Sequence, residues 1–554
     1  MKILRIGVLI NEFRGLSNWQ LRIIQDILDH PELEVVIIGN DGIDGTTQGK
    51  ETSSGFKRKF SLSFNFVTGL LHRQLALEQR TFFPKPETVL LQDIRSQLTN
   101  STHINIKFSA QELGHTFTRN DIKRIEKENL GIILNFSSLD DLSEISELPK
   151  YGVWLFKFAD MTLDKKGPIG FWEVLDKHEG IGFSLLRATS VTKEMLIIDT
   201  AFFNRGWSIT ETRNTVQEAA VSVFSKTVHS LLNGTFKSRE DTFVVPSSNR
   251  TYALKHLLQY CFVFYTMVAQ KAWEKATNRL LGWRPERWSL FLGDGAFMDA
   301  DLSSSEPLDM PGDEFWADPF LFEHEKVKYV FFENYSYRTK RGKISCGRME
   351  GKALIDVVDV LDLDYHLSFP YIFKEDGEIY LMPETSENDR LEIYRAVNFP
   401  TTWELYSTAF EGEKVADAFF HTDNNKERWL FLNKQIASTS PMNSELYIYK
   451  VDSIKLESME PHAQNPVIID ARVARNGGAI LSFAGQRYRP SQRNTDAIYG
   501  RALNLNRIEK LTLNEYVEIT ERVVRPDFDK KLMAMHHVHQ LGDTYVFDAA
   551  YRRK

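Results

Sequence analysis

The sequence predicts an α/β N-terminal domain joined by a helical linker to an all-β five-bladed propeller. Three observations support this prediction: strand and helix patterns alternate in the first part, helical periodicity then almost disappears, and five similar segments follow. The predicted boundaries are 1–245 for the α/β domain, 246–286 for the linker and 287–554 for the propeller. A length of 554 residues suits several domains, since domains average about 150 residues.

The α/β prediction rests on a strand, a helix and a second strand at the start of the chain. The apolar run ILRIGVLI precedes a helix-patterned segment, NWQLRIIQDILDHP, and then the apolar VVIIG of residues 35–39. Such a unit implies a parallel sheet. Two further apolar strands begin at Gly131 and Gly152, and a long helical stretch covers about residues 250–281.

The propeller prediction rests on five segments that begin at Trp316, Leu367, Val415, Ala471 and His536. Each has an apolar strand, a polar turn and an aromatic second strand, which is the pattern of a hairpin. They start roughly 50 to 60 residues apart, as propeller blades do. The strand-like RWSLFLG at Arg287 is expected to complete the last blade and close the ring.

Composition and charge argue against several classes of protein. The 68 basic and 75 acidic residues give a net charge of −7, which argues against nucleic-acid binding. Two cysteines provide neither a disulfide framework nor a thiolate metal site, and they agree with a cytoplasmic location. The apolar stretch 256–270 is shorter than the ~20 residues that span a bilayer, so no transmembrane segment is expected. Peripheral contact with a membrane stays open.

Several motifs of the second half resemble those of known propellers. They are WADPF at 316–320, FP at 369–370 with PETS at 383–386, RPSQ at 489–492 with YG at 499–500, and the two histidines at 536 and 537. The segments resemble the five-bladed propellers of glycoside hydrolase families 32, 43 and 68. More closely, they resemble the N-terminal propeller of plant glucosamine inositolphosphorylceramide transferases. Those proteins carry their glycosyltransferase domain elsewhere, so the resemblance does not transfer that activity.

The first half resembles the formyltransferase fold of methionyl-tRNA formyltransferase and sugar N-formyltransferases. The first strand, Trp19-Gln20 and the strand-loop GVWLFKFAD carry the resemblance. Where that family has Asn and His after the glycine, this chain has Leu155 and Lys157, and residues 188–195 contain no aspartate. Formyl transfer needs a group that takes a proton and stabilises an oxyanion, which leucine cannot do. We therefore expect a catalytically degenerate domain, and we predict no cofactor.

Three carboxylates are the predicted catalytic residues. The resemblance to the hydrolases implies that Asp318 is the general base or nucleophile and that a second aspartate, Asp417, assists it. Glu384 is the candidate acid, although the hydrolases usually place their acid on a later blade. At that place this chain has Arg475 and no glutamate. Structural alternatives stay open for each residue: a turn cap for Asp318, a strand-start aspartate for Asp417 and a solvated loop carboxylate for Glu384.

Six further residues are predicted to bind substrate: Arg475, Arg489, Gln492, Tyr499, His536 and His537. Arginine forks suit phosphate or carboxylate groups, and surface solvation is the alternative. Tyr499 is expected to stack on a sugar or to pack in a blade. One histidine should reach the central channel, but the spacing shows no third ligand for zinc, so no metal is predicted.

Three functions remain open from the sequence. The first is a carbohydrate-active enzyme of surface-glycan or glycoconjugate biosynthesis, a transferase that uses an activated sugar. This choice follows from a base carboxylate and arginines without an evident acid, because a phosphate leaving group needs no protonation. The second is a glycoside hydrolase, and the third is a non-catalytic glycan-binding protein. The expected partner is a carbohydrate or a nucleotide sugar.

Overall fold

The computed structural model describes residues 3–39, 62–83, 89–106, 117–137, 139, 141–159, 167–191, 194–236, 241–244, 250–281, 286–435 and 442–552. The chain divides into two compact units. The first consists mainly of Met1–Ala201 and Arg205–Phe264, and the second mainly of Tyr265–Ile436 and Ser440–Lys554. The three sequence-based boundaries stay a prediction.

The first unit is built on a sheet whose described strands lie in the order β3-β2-β1-β4-β5-β6-β7-β8. In chain order these strands are β1 (Leu4–Ile10), β2 (Leu33–Gly39), β3 (Thr102–Asn105), β4 (Ile132–Asn135), β5 (Val153–Lys157), β6 (Gly180–Ala188), β7 (Glu194–Asn204) and β8 (Thr242–Val244). The described helices are α1 (Asn18–Asp29), α2 (Leu62–Phe82), α3 (Leu91–Thr99), α4 (Arg119–Lys127), α5 (Phe171–Leu175), α6 (Ile209–Leu232) and α7 (Leu254–Leu281).

The parallel sheet predicted for this unit is confirmed. Strand β1 pairs in parallel with β2 and β4, so that Ile6 lies between Val35 and Ile132. Near-continuous apolar runs form these strands because both faces of a parallel sheet are buried. Strand β6 runs antiparallel to β5 and places Leu155 opposite Leu186. The finer resemblance to formyltransferases stays a prediction.

The Trp19-Gln20 motif has a structural use at the start of α1. The Ser17 amide donates to Gln20 Oε1 over 2.8 Å, which caps the helix. The Trp19 ring is buried and lies 5.3 Å from the Phe136 ring and 5.1 Å from the Phe156 ring. These contacts fix α1 against the sheet.

The second unit is the predicted five-bladed propeller. Its strands are β9 (Glu286–Asp294), β10 (Glu314–His324), β11 (Val327–Ser336), β12 (Arg341–Glu350), β13 (Ala353–Leu361), β14 (Ser368–Glu375), β15 (Glu378–Glu384), β16 (Leu391–Asn398), β17 (Thr402–Ala409), β18 (Lys414–Thr422), β19 (Arg428–Gln435), β20 (Glu445–Val451), β21 (Met459–Pro461), β22 (Ile468–Ile469), β23 (Leu481–Phe483), β24 (Gln486–Thr495), β25 (Ile498–Leu511), β26 (Tyr516–Val524), β27 (Leu532–Ala534), β28 (Val538–Leu541) and β29 (Thr544–Arg552).

The described strands group into five antiparallel sheets, one for each blade. Blades 1 to 4 are β10–β13, β14–β17, β18–β21 with β22, and β23–β26. Inner strands of neighbouring blades contact each other, as β10 does with β14 and β14 with β18. The first two inner hairpins turn at Glu325-Lys326 and Asp376-Gly377, with positive φ at all four residues. This is the tight turn whose twist matches a hairpin.

Blade 5 closes the ring in the way that the RWSLFLG segment predicts. Strand β29 lies between β9 and the pair β27 and β28, and Phe547 is opposite Phe291. The two phenylalanine rings stack with centroids 4.9 Å apart and planes 7° from parallel. The first and last parts of the propeller sequence are therefore joined in one sheet.

The inner strands of the last two blades are irregular. Strand β23 has only three residues, and the segment before it is tied to β24 by a single bridge between Asn476 and Ser491. In blade 5 a bulge separates β27 from β28 and contains both His536 and His537. None of the described helices is long and apolar enough to cross a membrane.

The Phe291→Ala substitution tests the ring closure. Phe291 is fully buried, and its truncation leaves a cavity at the junction of β9 and β29. We expect the free energy of unfolding to fall by about 3–5 kcal/mol. Denaturant unfolding of the full chain followed by far-UV circular dichroism measures it. Leu405→Ala, on the outer strand β17 with the side chain 48% exposed, is the control and should change it by less than about 1 kcal/mol. Equal effects of the two substitutions would contradict this closure.

Candidate active site

The inner strands of the first three blades share a bulge with one residue in the left-handed region. Asp318, Phe369 and Asp417 have φ of +49°, +44° and +50°. The strand register shifts at each of these positions. A bulge redirects a side chain out of the strand's alternation, and aspartate tolerates this backbone better than most residues. The bulges therefore bring Asp318 and Asp417 to equivalent places in blades 1 and 3.

The second strands of the same blades present a polar side chain beside each bulge. Glu333 is paired with Ala317, Glu384 with Ser368 and Asn433 with Ala416, each partner being the residue before the bulge. Because the blades are repeats around one axis, these positions lie at the same end of the propeller. We call the set Asp318, Glu333, Glu384, Asp417, Arg475, His536 and Asp548 the central cluster.

Arg475 joins the carboxylates of blades 2 and 3. Its Nε donates to Asp417 Oδ2 over 2.6 Å, and its Nη2 donates to Asp417 Oδ1 at 3.3 Å and to Glu384 Oε2 at 3.2 Å. The other Glu384 oxygen accepts from Ser386 Oγ over 2.7 Å. Both oxygens of each carboxylate therefore accept hydrogen bonds. Burial raises the pKa of Asp417 to about 7, and the positive charge of Arg475 opposes that rise.

His536 joins Asp318 to Asp548 in the same way. Its Nδ1 lies 2.8 Å from Asp548 Oδ1, and its Nε2 lies 3.3 Å from Asp318 Oδ1. Burial disfavours the charged ring, but Asp548 and Asp318 outweigh burial and raise the His536 pKa to about 9. The ring is thus an imidazolium at neutral pH and holds two carboxylates together.

Asp318 is held by backbone groups as well as by His536. Its own amide donates to Asp548 Oδ2 at 2.9 Å, and the Phe369 amide donates to Asp318 Oδ2 at 3.2 Å. Burial raises the pKa of Asp318 to about 7, with the His536 charge acting in the opposite direction. A carboxylate with this pKa suits a general base at neutral pH.

Glu333 is a further buried carboxyl of the cluster. Its burial together with the charges of Asp318 and Glu384 raises its pKa well above the usual range. His366 Nε2 lies 3.5 Å from Glu333 Oε1. A raised pKa favours the neutral carboxylic acid, which can donate a hydrogen bond.

Tyr499 lies between the two cations of the cluster. The Arg475 guanidinium is 5.3 Å from the centre of the Tyr499 ring, and the His536 ring centre is 5.4 Å away. Trp288 covers another side of His536 at 4.0 Å. Tyr499 is 40% exposed whereas the cluster's charged groups are buried or nearly so, which makes its ring the accessible edge of the cluster.

The structure gives Arg489 a scaffold role in place of the predicted ligand contact. Its Nε and Nη2 donate to Glu518, its Nη1 donates to Asn476 Oδ1 and the Ala474 carbonyl, and its Nη2 also donates to the Val473 carbonyl. An arginine has five N–H donors, and these bonds use all of them. Arg489 therefore positions the segment that carries Arg475.

The remaining predicted binding residues occupy different surroundings. Gln492 is buried, and its backbone N–H donates to the Arg475 backbone carbonyl at 2.8 Å. The His537 ring packs 4.7 Å from Phe320 and 5.2 Å from Phe369, and burial lowers its pKa well below the usual range. Of the two histidines, His536 reaches the cluster and His537 packs among aromatic rings.

The spacing of the sequence shows no third ligand for a metal, but folding brings three possible ligands together. Single ligand atoms of Asp318, His536 and Asp548 lie within 4.8 Å of one another. Both ring nitrogens of His536 face carboxylates, so the three side chains can form an ion-paired triad. A cation bound here would have to take the place of a proton of the His536 ring.

Sequence analysis missed two members of the cluster, Glu333 and Asp548. A signal for Glu333 is present, because aligning FFEN of blade 1 with MPET of blade 2 places Glu333 over Glu384. No such alignment points to Asp548, because the bulge at residues 535–537 changes the strand register of blade 5 relative to the other blades.

Comparison with known proteins agrees with the propeller resemblance. Residues 303–542 match the family described as glucosamine inositolphosphorylceramide transferase 1, N-terminal. The matched region resembles that family and makes up less than half of the chain. The transferase 1 of Arabidopsis thaliana is 31% identical over 300 residues, which cover 47% of this chain and 39% of that protein. Its counterpart from Oryza sativa subsp. japonica is 35% identical over 209 residues, 37% of this chain and 28% of that one. The chain thus spans well under half of these relatives.

Solved structures of glycoside hydrolases are also similar to this region. A thermostable family-43 glycoside hydrolase has 13% identity and a TM-score of 0.32, and the match covers 44% of this chain and 90% of that one. An endo-arabinase from Bacteroides thetaiotaomicron has 14% identity and a TM-score of 0.32, with 45% and 98% covered. At these scores the likeness carries no argument about chemistry.

The His536→Gln substitution tests the charged triad through the pH dependence of stability. Because the His536 pKa is raised from 6.5 to about 9, its stabilising charge is fully present below pH 6.5 and is lost as pH rises through 9. The stability difference between the wild type and the variant should therefore shrink steadily from pH 6.5 to 9 in chemical unfolding experiments.

His421→Gln is the matched control for this titration. Burial and Arg487 lower the His421 pKa to about 4, so above about pH 7.5 this ring is neutral in the folded state and almost neutral in the unfolded state. The stability difference for the control should stay constant across that range. A constant difference for His536→Gln as well would mean that His536 and Asp318 together bind no more protons in the folded wild type than Asp318 binds in the variant.

Proposed function

We propose that the central cluster transfers a sugar from a phosphate-activated donor to a hydroxyl acceptor during glycoconjugate assembly. The observation that carries the proposal is the position of Arg475, which stands where the hydrolase resemblance would place an acid. Its guanidinium binds Asp417 and Glu384, and every oxygen of both carboxylates accepts a hydrogen bond. Arg475 thus holds both carboxylates by hydrogen bonds at the place where a glycosidase would have its acid.

A transferase does not need that acid. In the proposed step, Asp318 takes the proton of the acceptor hydroxyl while the acceptor oxygen bonds to the anomeric carbon. The bond from that carbon to the donor phosphate oxygen breaks, and its electron pair leaves with the phosphate. Phosphate is stable as an anion, so no proton has to be supplied on that side. Atoms and charge balance without any further reactant.

The properties of Asp318 support the role of base. Its pKa of about 7 lets it accept a proton at neutral pH, and the Phe369 amide and the His536 ring fix the direction of its oxygens. His536 also stabilises the ionised form before the proton arrives. The related regions of named transferases add support for glycoconjugate biosynthesis.

Hydrolysis is the second candidate, and Glu333 is the observation that favours it. A buried carboxyl whose pKa is raised well above the usual range, in the same cluster as an ionisable Asp318, resembles the acid and base of a glycosidase. This candidate replaces Glu384 by Glu333 as the acid. For both candidates we propose that the reaction takes place in the cytoplasm and that the first unit does not catalyse formyl transfer.

The Asp318→Asn substitution tests the base. We expect turnover with a nucleotide-sugar donor, selected by thermal shift, to fall by about 100- to 10,000-fold, because the amide cannot take the proton. Asp376→Asn is the matched control: Asp376 has φ +48° at an exposed hairpin turn, so both variants place asparagine in the same backbone conformation. The control should keep the wild-type rate.

Two results would reject the Asp318 assignment. Wild-type turnover by Asp318→Asn would remove its role as base. Sugar binding without turnover by the wild type, lost in Asp318→Asn, would instead support the non-catalytic glycan-binding alternative.

The Glu333→Gln substitution separates transfer from hydrolysis. A transferase with a phosphate leaving group should lose less than about tenfold, whereas a hydrolase that needs this acid should lose about 100-fold or more. For the hydrolase, a nitrophenyl glycoside should restore the rate, because its leaving group needs no proton. Glu384→Gln is the comparison, since Glu384 already accepts from Arg475 and Ser386. A larger loss for Glu384→Gln would return the acid role to Glu384.

A further inference from the structure

A cavity of about 750 Å³ in the second unit is lined by four cationic side chains, Arg501, Lys530, Lys531 and Arg552. No carboxylate is among its described lining residues. Asp496 lies 3.8 Å from Arg501, and Glu286 interacts with Arg552 at longer range. Asp529 acts on the ring of Tyr551, which also lines the cavity, and accepts the Lys531 backbone amide. Three carboxylates against four cations leave the cavity with a small excess of positive charge.

The cavity adjoins the central cluster through two chain segments. Ile498 lines the cavity, and the next residue, Tyr499, is the exposed edge of the cluster. Met533 lines the cavity, and His536 lies three residues further along. The Met535 amide donates to the Gly500 carbonyl over 2.7 Å and so ties the two segments together.

Where these two segments meet, at Gly500, there is no space for a residue larger than glycine. Gly500 has φ +60°, and the Asn494 side chain accepts its amide hydrogen over 2.8 Å. A Cβ at position 500 would lie 2.6 Å from the Cβ of His536. The segment that lines the cavity at Ile498 therefore packs directly against His536 at Gly500.

The arginines predicted from the sequence to hold an anion are already engaged. Arg475 is bonded to Asp417 and Glu384, and all five donors of Arg489 are used within the protein. A phosphate group brought beside the cluster would need other cations. The four that line the cavity can supply them, and their long side chains can adapt to an anion.

We propose that this basic cavity binds the diphosphate group of the activated sugar. The proposal rests on the transfer function argued above and extends it to the donor. Apolar side chains of Ile498, Leu532 and Met533 and the ring of Tyr551 form the rest of the lining and would contact the uncharged part joined to the diphosphate. A volume of about 750 Å³ is within the range of small-molecule sites.

Binding measurements on the full chain test the cavity. Three probes carry the same diphosphate: inorganic pyrophosphate, uridine diphosphate and a short-chain prenyl diphosphate. We expect saturable binding in isothermal titration calorimetry that weakens as salt rises. Tighter binding of uridine diphosphate than of pyrophosphate would identify a nucleotide donor, and tighter binding of the prenyl compound a lipid-linked donor.

The double substitution Lys530→Gln and Lys531→Gln should weaken diphosphate binding by about tenfold or more, because two charge-assisted hydrogen-bond donors are lost. Lys326→Gln with Lys352→Gln changes the net charge equally at two exposed turn lysines of blade 1 and should leave binding unchanged. Equal weakening by both pairs, or no binding of any probe at millimolar concentration, would overturn the proposal.

The outcomes for the cavity and for the reaction can be told apart. Asp318→Asn should lose turnover and retain diphosphate binding, since Asp318 does not line the cavity. Diphosphate binding that depends on Lys530 and Lys531, without transfer from any donor, would keep the cavity and reject the reaction. Transfer whose donor KM is unaffected by the lysine substitutions would keep the reaction and reject the cavity.

Discussion

The balance of buried charge at one end of the propeller is the constraint on which the candidate site depends. Five carboxylates, those of Asp318, Glu333, Glu384, Asp417 and Asp548, are buried or nearly so and face two cations, Arg475 and His536. Isolated buried charges are very unfavourable, so the carboxylates cannot all be ionised. The raised pKa values of Asp318, Asp417 and Glu333 express this limit. The cluster therefore holds protons at neutral pH, and that is the property that acid–base chemistry requires.

Repetition explains why the propeller could be predicted from the sequence. Short aromatic strands, tight turns and a regular interval recur in the first three blades, and each feature reflects local packing or backbone geometry. Segments 471–480 and 535–537 depart from this pattern because contacts distant in sequence hold them, such as the bond from the Arg489 side chain to the Val473 carbonyl. Local patterns do not record such contacts. In the first unit, local apolar runs are likewise enough to predict a parallel sheet. They are not enough to predict which known fold the unit resembles.

The candidate site was predictable in its residue types and less so in their partners. Motifs at strand ends predict Asp318, Glu384 and Asp417, and the structure brings Glu384 and Asp417 to one guanidinium. Arg489 has the same residue type as Arg475, and only the three-dimensional structure distinguishes an arginine whose donors are all used by the protein from one that bridges two carboxylates. Glu333 has no motif of its own, and only the alignment of its strand with that of Glu384 points to it. A site built from several blades depends on pairings across the ring, which no single segment of sequence contains.

The pairing of β9 with β29 has a consequence for the order in which the propeller can form. Asp294 pairs with Thr544, so the sheet of blade 5 contains residues from both ends of the propeller sequence. During synthesis β9 emerges first and has no partner until β29 has left the ribosome, while hairpins in the first blades can assemble at once. Contacts between residues far apart in sequence slow folding, and an unpaired strand edge promotes association with other chains. The same closure that leaves the mature ring without a free seam thus exposes β9 during the period before the ring is complete.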